Sequence, residues 1–236
     1  MQTTTSMTAP VASHRAAAVA IAAATVISTV FVALDRSGGG HTPAEILAGI
    51  AGLITLKEVV HGVAIASVCA YGFGYATLAR WLGLHRPLVL AGLVMYLLGC
   101  GAMIGATIVD GFVIPHVAID ALASPDRVGF AYNLVHSLGL VVNDLAKLGW
   151  ILQAVGTLAW AVTLARSSGF PRAVGLVGVV SSGLVCALIA GSATSMSMTG
   201  LLAVLLAQLV WNVSAAAVLA TPRALAERST ARPAGP

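Results

Sequence analysis

Six apolar runs, each about as long as a bilayer is thick, constrain this chain more than any motif in it. About 20 residues of helix cross a ~30 Å hydrocarbon core. That ruler finds runs at 16–34, 56–82, 88–109, 142–164, 173–193 and 201–219. Lipid offers the backbone no hydrogen bonds, so runs of this length close their own as helices. The expected fold is all-α, a polytopic membrane protein of six transmembrane helices. Only 8% of residues are charged, against about a quarter in a soluble domain. No stretch remains for a separate water-soluble domain. Residues 16–221 read as one membrane domain between polar tails at 1–15 and 222–236. The first run follows Arg15 and could pass for a secretory signal, but its 19 residues favour an anchor that stays in place.

Arginine placement sets the orientation. Arg15, Arg80, Arg86, Arg166, Arg172, Arg223, Arg228 and Arg232 fall in the tails or in the loops after runs two and four, leaving only Arg36 and Arg127 opposite. Basic residues mark the cytoplasmic side, so both termini are expected there. Asp35, Glu45, Glu58, Asp110, Asp120, Asp126 and Asp144 then lie on or near the external side, with Glu227 alone inside. The net charge of +4 is spread singly along loops, a topology signal rather than a phosphate-binding surface. The expected partner is the lipid bilayer, with a second copy or a partner membrane subunit as further candidates, and no nucleic acid. Ten Arg against two Lys, in an Ala-rich chain, points to a GC-rich bacterial genome and hence to a bacterial inner membrane. Cys69, Cys100 and Cys186 sit in apolar runs without a CxxC pair, so no redox centre or disulfide framework is expected.

Sliding the chain against itself by 86 positions superposes Thr77-Leu78-Ala79-Arg80 on Thr163-Leu164-Ala165-Arg166, Gly83 on Gly169 and Arg86 on Arg172. Thirteen identities fall over the 51 positions of 57–107 against 143–193. The implied core is a four-helix bundle of two parallel repeated hairpins, spans two and three and spans four and five, flanked by spans one and six. Such repeats are related by an axis along the membrane normal. Spans two and four are expected to overshoot the bilayer. Thr42-Pro43-Ala44-Glu45 carries a capping Thr, Pro at the first helical position and Glu three residues after the cap. One helix over 43–82, or one bent at Gly62, is compatible with that start. Pro125-Asp126 opens a similar stretch to residue 168, straight or bent at Gly139. The overshooting ends could form a small external cap.

The offset also superposes Glu58 on Asp144, Lys57 on Asn143 and His61 on Lys147. Glu58 and His61 are three apart and share a helical face. Glu58 stands 22 residues above Arg80, Asp144 22 above Arg166 and Asp110 24 above Arg86, all about 33–36 Å up at 1.5 Å per residue. Ionisable groups in lipid must pair, bind a ligand or line a wet cavity. Carboxylates with imidazole are the ligand set of zinc or non-haem iron, and Glu-x-x-His serves di-iron bundles. Metal candidates are Glu58, His61, Asp110 and Asp144, with His116 or His136 closing from above. Lys57, Asn143 and Lys147 would tune charge or hold substrate. The metal would be iron, zinc or copper, and the protein a membrane enzyme acting on a lipophilic or small substrate. The repeat supplies Lys147 where a di-iron site needs a second His. The other reading is an ion-pair network in a non-catalytic accessory subunit or small transporter. Haem between His61 and His136 is disfavoured, since the two stand about 16 Å apart in height unless span four breaks at Gly139. His116 and Asp120 read as a solvated loop after Pro115. Gln208, Trp211 and Asn212 suit interhelical hydrogen bonds or a cavity, and Ser195-Met196-Ser197-Met198 reads as a turn rather than a copper site.

Overall fold

The structure, a computed structural model, describes residues 11–35, 38–191 and 198–221. Most of both tails, Arg36 and Ser195-Met196-Ser197 lie outside the described residues. Among those described there are helices and turns and no strand. Six helices are long and apolar enough to cross a membrane. In chain order the elements are α1 (Val11–Leu34), α2 (Pro43–Ala51), α3 (Ile54–Leu82), α4 (Pro87–Ile108), a π-helical turn (Val109–Val113), α5 (Ile114–Leu122), α6 (Val128–Ala165), α7 (Gly169–Ala190) and α8 (Met198–Ala220), with a 3₁₀ turn (Pro125–Arg127) before α6.

The long helices close a ring in chain order. α1 packs on α3, α3 on α4, α4 on α6, α6 on α7, α7 on α8, and α8 returns to α1. The most extensive pair, α4 with α6, joins the two expected hairpins to each other. Spans one and six are therefore members of the ring rather than flanks to a four-helix core. Small residues explain the α4–α6 contact. A Cβ on Gly92 would meet the Gly156 carbonyl oxygen at 3.0 Å and one on Gly156 would meet that of Gly92 at 2.6 Å. Gly99 and Gly149 repeat the arrangement seven residues along each helix, at 2.7 and 3.1 Å. Small residues let backbones approach this closely, which favours helix association in lipid.

Aromatic rings fill the centre near the turns at 83–86 and 166–168. Tyr75 stacks on Trp160 with centroids 5.4 Å apart and on Trp211 at 6.3 Å, and Tyr96 tilts against Tyr75 at 4.6 Å. Two of their polar atoms are paired where helices meet: the Tyr75 hydroxyl donates to Asn212 Oδ1, and Trp160 Nε1–H donates to the Val89 carbonyl at 3.1 Å. The turns carry Arg80, Arg86, Arg166 and Arg172 on or beside them, so this is the arginine end of the ring. Large apolar side chains cover the outside, Val19, Leu98, Val180 and Leu206 among them, each more than half exposed.

At the opposite, acidic end the chain leaves the ring and folds a small cap. The capping box forms: Glu45 N–H donates to Thr42 Oγ1, while Thr42 and His41 N–H groups donate to Glu45 Oε2. α2 ends at Gly52-Leu53, so the 43–82 stretch breaks there and not at Gly62. Leu47 of α2, Ala118 and Ala121 of α5 and Ala131 of α6 form the cap's own core. α6 runs unbroken through Gly139 for 38 residues. The expected loop after Pro115 is instead α5. The chain passes from π to α register beside Pro115, which has no N–H to donate, so the missing bond falls where the ladder is already changing.

Candidate functional site

The site grows from one turn of α3 and one irregular turn of the next helix. Lys57 and His61 are four residues apart and share a face. His61 Nδ1 lies 2.8 Å from the Lys57 carbonyl oxygen. A carbonyl can only accept, so Nδ1 carries the proton and the ring is held with Nε2 pointing away from its own helix. Opposite stands the π turn. π turns are rare and often occur at functional sites. This one carries Asp110 followed by Gly111, where a Cβ would lie 2.3 Å from His61 Cβ. Glycine lets the turn sit against the imidazole, and Asp110 Oδ2 then reaches His61 Nε2 at 2.8 Å.

Lys57 and Asp35 complete the group. Lys57 Nζ is 3.1 Å from Asp35 Oδ1 at the end of α1 and 3.2 Å from Asp110 Oδ2. One ammonium thus joins three ring members, α1, α3 and the π turn after α4. The Lys57 side chain is 12% exposed and that of His61 9%, against 30% and 35% for Asp110 and Asp35. The basic groups are covered while the carboxylates reach toward solvent. Asp110 Oδ2 and His61 Nε2 need one proton between them, carried by an imidazolium or by a carboxylic acid. Asp35, His61 and Asp110 each offer a ligand atom, all within 4.8 Å of one another.

Other candidates lie elsewhere. Glu58 follows Lys57 and so points about 100° round the helix. It faces His116, with Oε1 4.0 Å from Nε2, while His116 Nδ1–H donates to the Phe112 carbonyl at 2.7 Å. Both histidines are therefore back-bonded to the carbonyl four residues earlier, with Nε2 toward an acid. Asp144 is exposed and takes a hydrogen bond from its neighbour Asn143, His136 is exposed and Lys147 half-buried. α6 packs through Gly149, Gln153 and Gly156. At 100° per residue Asn143, Asp144, Lys147 and His136 lie about 120–160° round from Gly149. The arc common to these four faces away from α4, so Asp144 does not join Asp110. The triad of spans two, three and four is replaced by one of spans one, two and three. Asp35 had the same signal as the others, since it stands 20 residues above Arg15, about 30 Å.

No protein-family model matches the chain, and no curated protein or solved structure matches it.

Proposed function

We propose that the protein is an integral membrane protein with its acidic end external and both termini cytoplasmic, and that the Asp35–Lys57–His61–Asp110 cluster is a cation site for iron, zinc or copper. The observation that carries this reading is the His61 ring held by the Lys57 carbonyl, with Nε2 on Asp110 Oδ2 and an Asp35 ligand atom within 4.8 Å. Metal-bound histidines ordinarily have their second nitrogen anchored in this way. In the absence of metal, Lys57 neutralises the carboxylates. A dication on His61 Nε2, Asp35 and Asp110 would displace that ammonium and the shared proton. Three protein ligands leave a position for water or substrate, the pattern of a catalytic rather than a structural metal. A membrane enzyme acting on a lipophilic or small substrate at the outer leaflet is the matching class.

A second reading is favoured by the distances themselves. Ligands at about 2.1 Å from a tetrahedral ion stand about 3.4 Å apart, whereas His61 and Asp110 are hydrogen-bonded at 2.8 Å. The cluster is also complete without metal, as an ion-pair network tying three helices in an accessory subunit or small transporter. Lys57→Met separates the two. A metal site loses its internal competitor and binds zinc at least tenfold more tightly by calorimetry, whereas an ion-pair network takes up no zinc and melts earlier. Less than about 0.2 zinc per chain in both forms after zinc loading ends the metal reading.

Duplication of α3–α4 and α6–α7 belongs to the same proposal. What supports it is that Gly83 and Gly169, superposed by the 86-residue offset, are the two described residues with positive φ, 101° and 64°.

A further inference from the structure

We infer that the ring holds, near mid-depth and apart from the charged cluster, a binding site for one small neutral hydrogen-bonding group, received by Ser182 and Trp211. The cavity lies among α4, α6, α7 and α8, lined by Tyr96, Gln153, Ser182, Gln208, Trp211 and Asn212 among others, with no charged side chain. Tyr96 is nine residues from the start of α4, Asn212 eight from the end of α8, Gln153 twelve from the end of α6 and Ser182 thirteen from the start of α7. At 1.5 Å per residue these stand about 12–20 Å above the arginine end.

Two polar atoms on its wall lack a well-formed hydrogen bond. Ser182 Oγ and Trp211 Nε1 are buried without a hydrogen-bond partner of proper geometry, in residues only 3% exposed. Buried polar groups are nearly always paired, by protein or by an ordered small molecule. The Tyr75 hydroxyl stands near the indole N–H without closing a well-formed hydrogen bond, and Trp211 cannot turn to find another acceptor. Its ring is stacked on Tyr75 at 6.3 Å, and it fills the space where a Cβ on Gly178 would meet Trp211 Cζ3 at 2.5 Å. The indole N–H is thus fixed as a donor and the Ser182 hydroxyl donates or accepts.

Size and charge set the ligand class. The cavity measures about 20 Å³, on a measure where a water needs roughly 10–15 Å³. An ion here would have no counter-charge in a low-dielectric interior, so the occupant is neutral. The group accepts from Trp211 and bonds Ser182. It is either a water molecule or the hydroxyl head of a lipophilic alcohol entering from the membrane side.

The test uses the full chain in lipid nanodiscs with ¹⁵N-labelled tryptophan. The Trp211 indole proton is expected to show a magnetisation-transfer peak to water, while Trp160, bonded to Val89, shows none. Ser182→Val, which fills the cavity, abolishes the peak, and Ser182→Ala, which removes only the hydroxyl, weakens it at least twofold. The unchanged Trp160 resonance reports that each variant is folded. If water gives no peak, saturable shifting of Trp211 by 1-hexanol, lost in Ser182→Val, identifies the alcohol head as the occupant. Neither response in the wild type, or a water peak that survives Ser182→Val unchanged, overturns the inference.

Discussion

At the acidic end, α1, α3 and the π turn meet through formal charges, with Lys57 between two carboxylates and His61 on one of them. Midway down the same ring, four helices meet around hydroxyls, amides and an indole without a single charge. The charged group is closed on itself: each basic atom has an acid within 3.2 Å, and the carboxylates stay a third exposed. The neutral group is less fully paired, with Ser182 Oγ and Trp211 Nε1 lacking a well-formed hydrogen bond. Depth accounts for the contrast. Near the end of the helices, water shares the cost of charge and the side chains need only find one another. Deep between the helices bulk solvent does not share that cost, so the polar groups there are neutral ones.

The largest expected effect comes from breaking the charged side. Asp110→Asn leaves Lys57 and His61 without their common acid. Removing one partner of a buried pair costs about 3–5 kcal/mol; with Asp110 30% exposed, the low end, about 3 kcal/mol, is expected in denaturant unfolding in detergent. A loss below about 1 kcal/mol would mean that the cluster does not hold the three helices together. Next comes the neutral side. Asn212→Leu strands the fully buried Tyr75 hydroxyl and costs about 1–3 kcal/mol, measured the same way. Its cost is expected to be indifferent to added zinc, in contrast to any change at Asp110.

Asp35→Asn sharpens the comparison within the cluster itself. Asp35 is the most exposed member, so its ion pair contributes under about 1 kcal/mol, yet zinc uptake should fall at least tenfold if it is a ligand. The smallest effect is confined to the cap. Backbone N–H groups of His41 and Thr42 hold the Glu45 carboxyl below the ordinary glutamate range. Its capping contribution is therefore whole above the ordinary value of 4.5 and disappears as pH falls through the lowered one. Amide exchange in α2, corrected for intrinsic rate, should accelerate between pH 6 and pH 3 while that around Trp211 does not change.

The helices were legible because hydropathy length is a one-dimensional signal: each apolar run of 16–34, 56–82, 88–109, 142–164 and 173–193 falls within or almost within a helix of the structure. The Thr42 cap was equally legible, since its chemistry lies within four residues. The partners within the site were not. Height along a helix follows from counting, which put Asp110 level with Glu58 and Asp144, but facing depends on which stripe packs. The glycines of α6 turned Asp144 outward, a choice visible only once α4 is laid against Gly149 and Gly156. The π turn was hidden for a different reason. It changes the register of a helix without changing its hydropathy.

That turn has a consequence for how the protein can vary. A π turn takes up one residue more than the α-helical turns around it and absorbs it locally, so α5 keeps its seat against α2 and α6 with the phase an uninterrupted helix would give it. Deleting a single residue from 109–113 would therefore let the ladder relax to ordinary α geometry without swinging the segment beyond. The cap would stay seated while the carboxylate at 110 lost the bulge that sets it against His61. The imidazole's partner thus depends on one extra residue that the cap does not need.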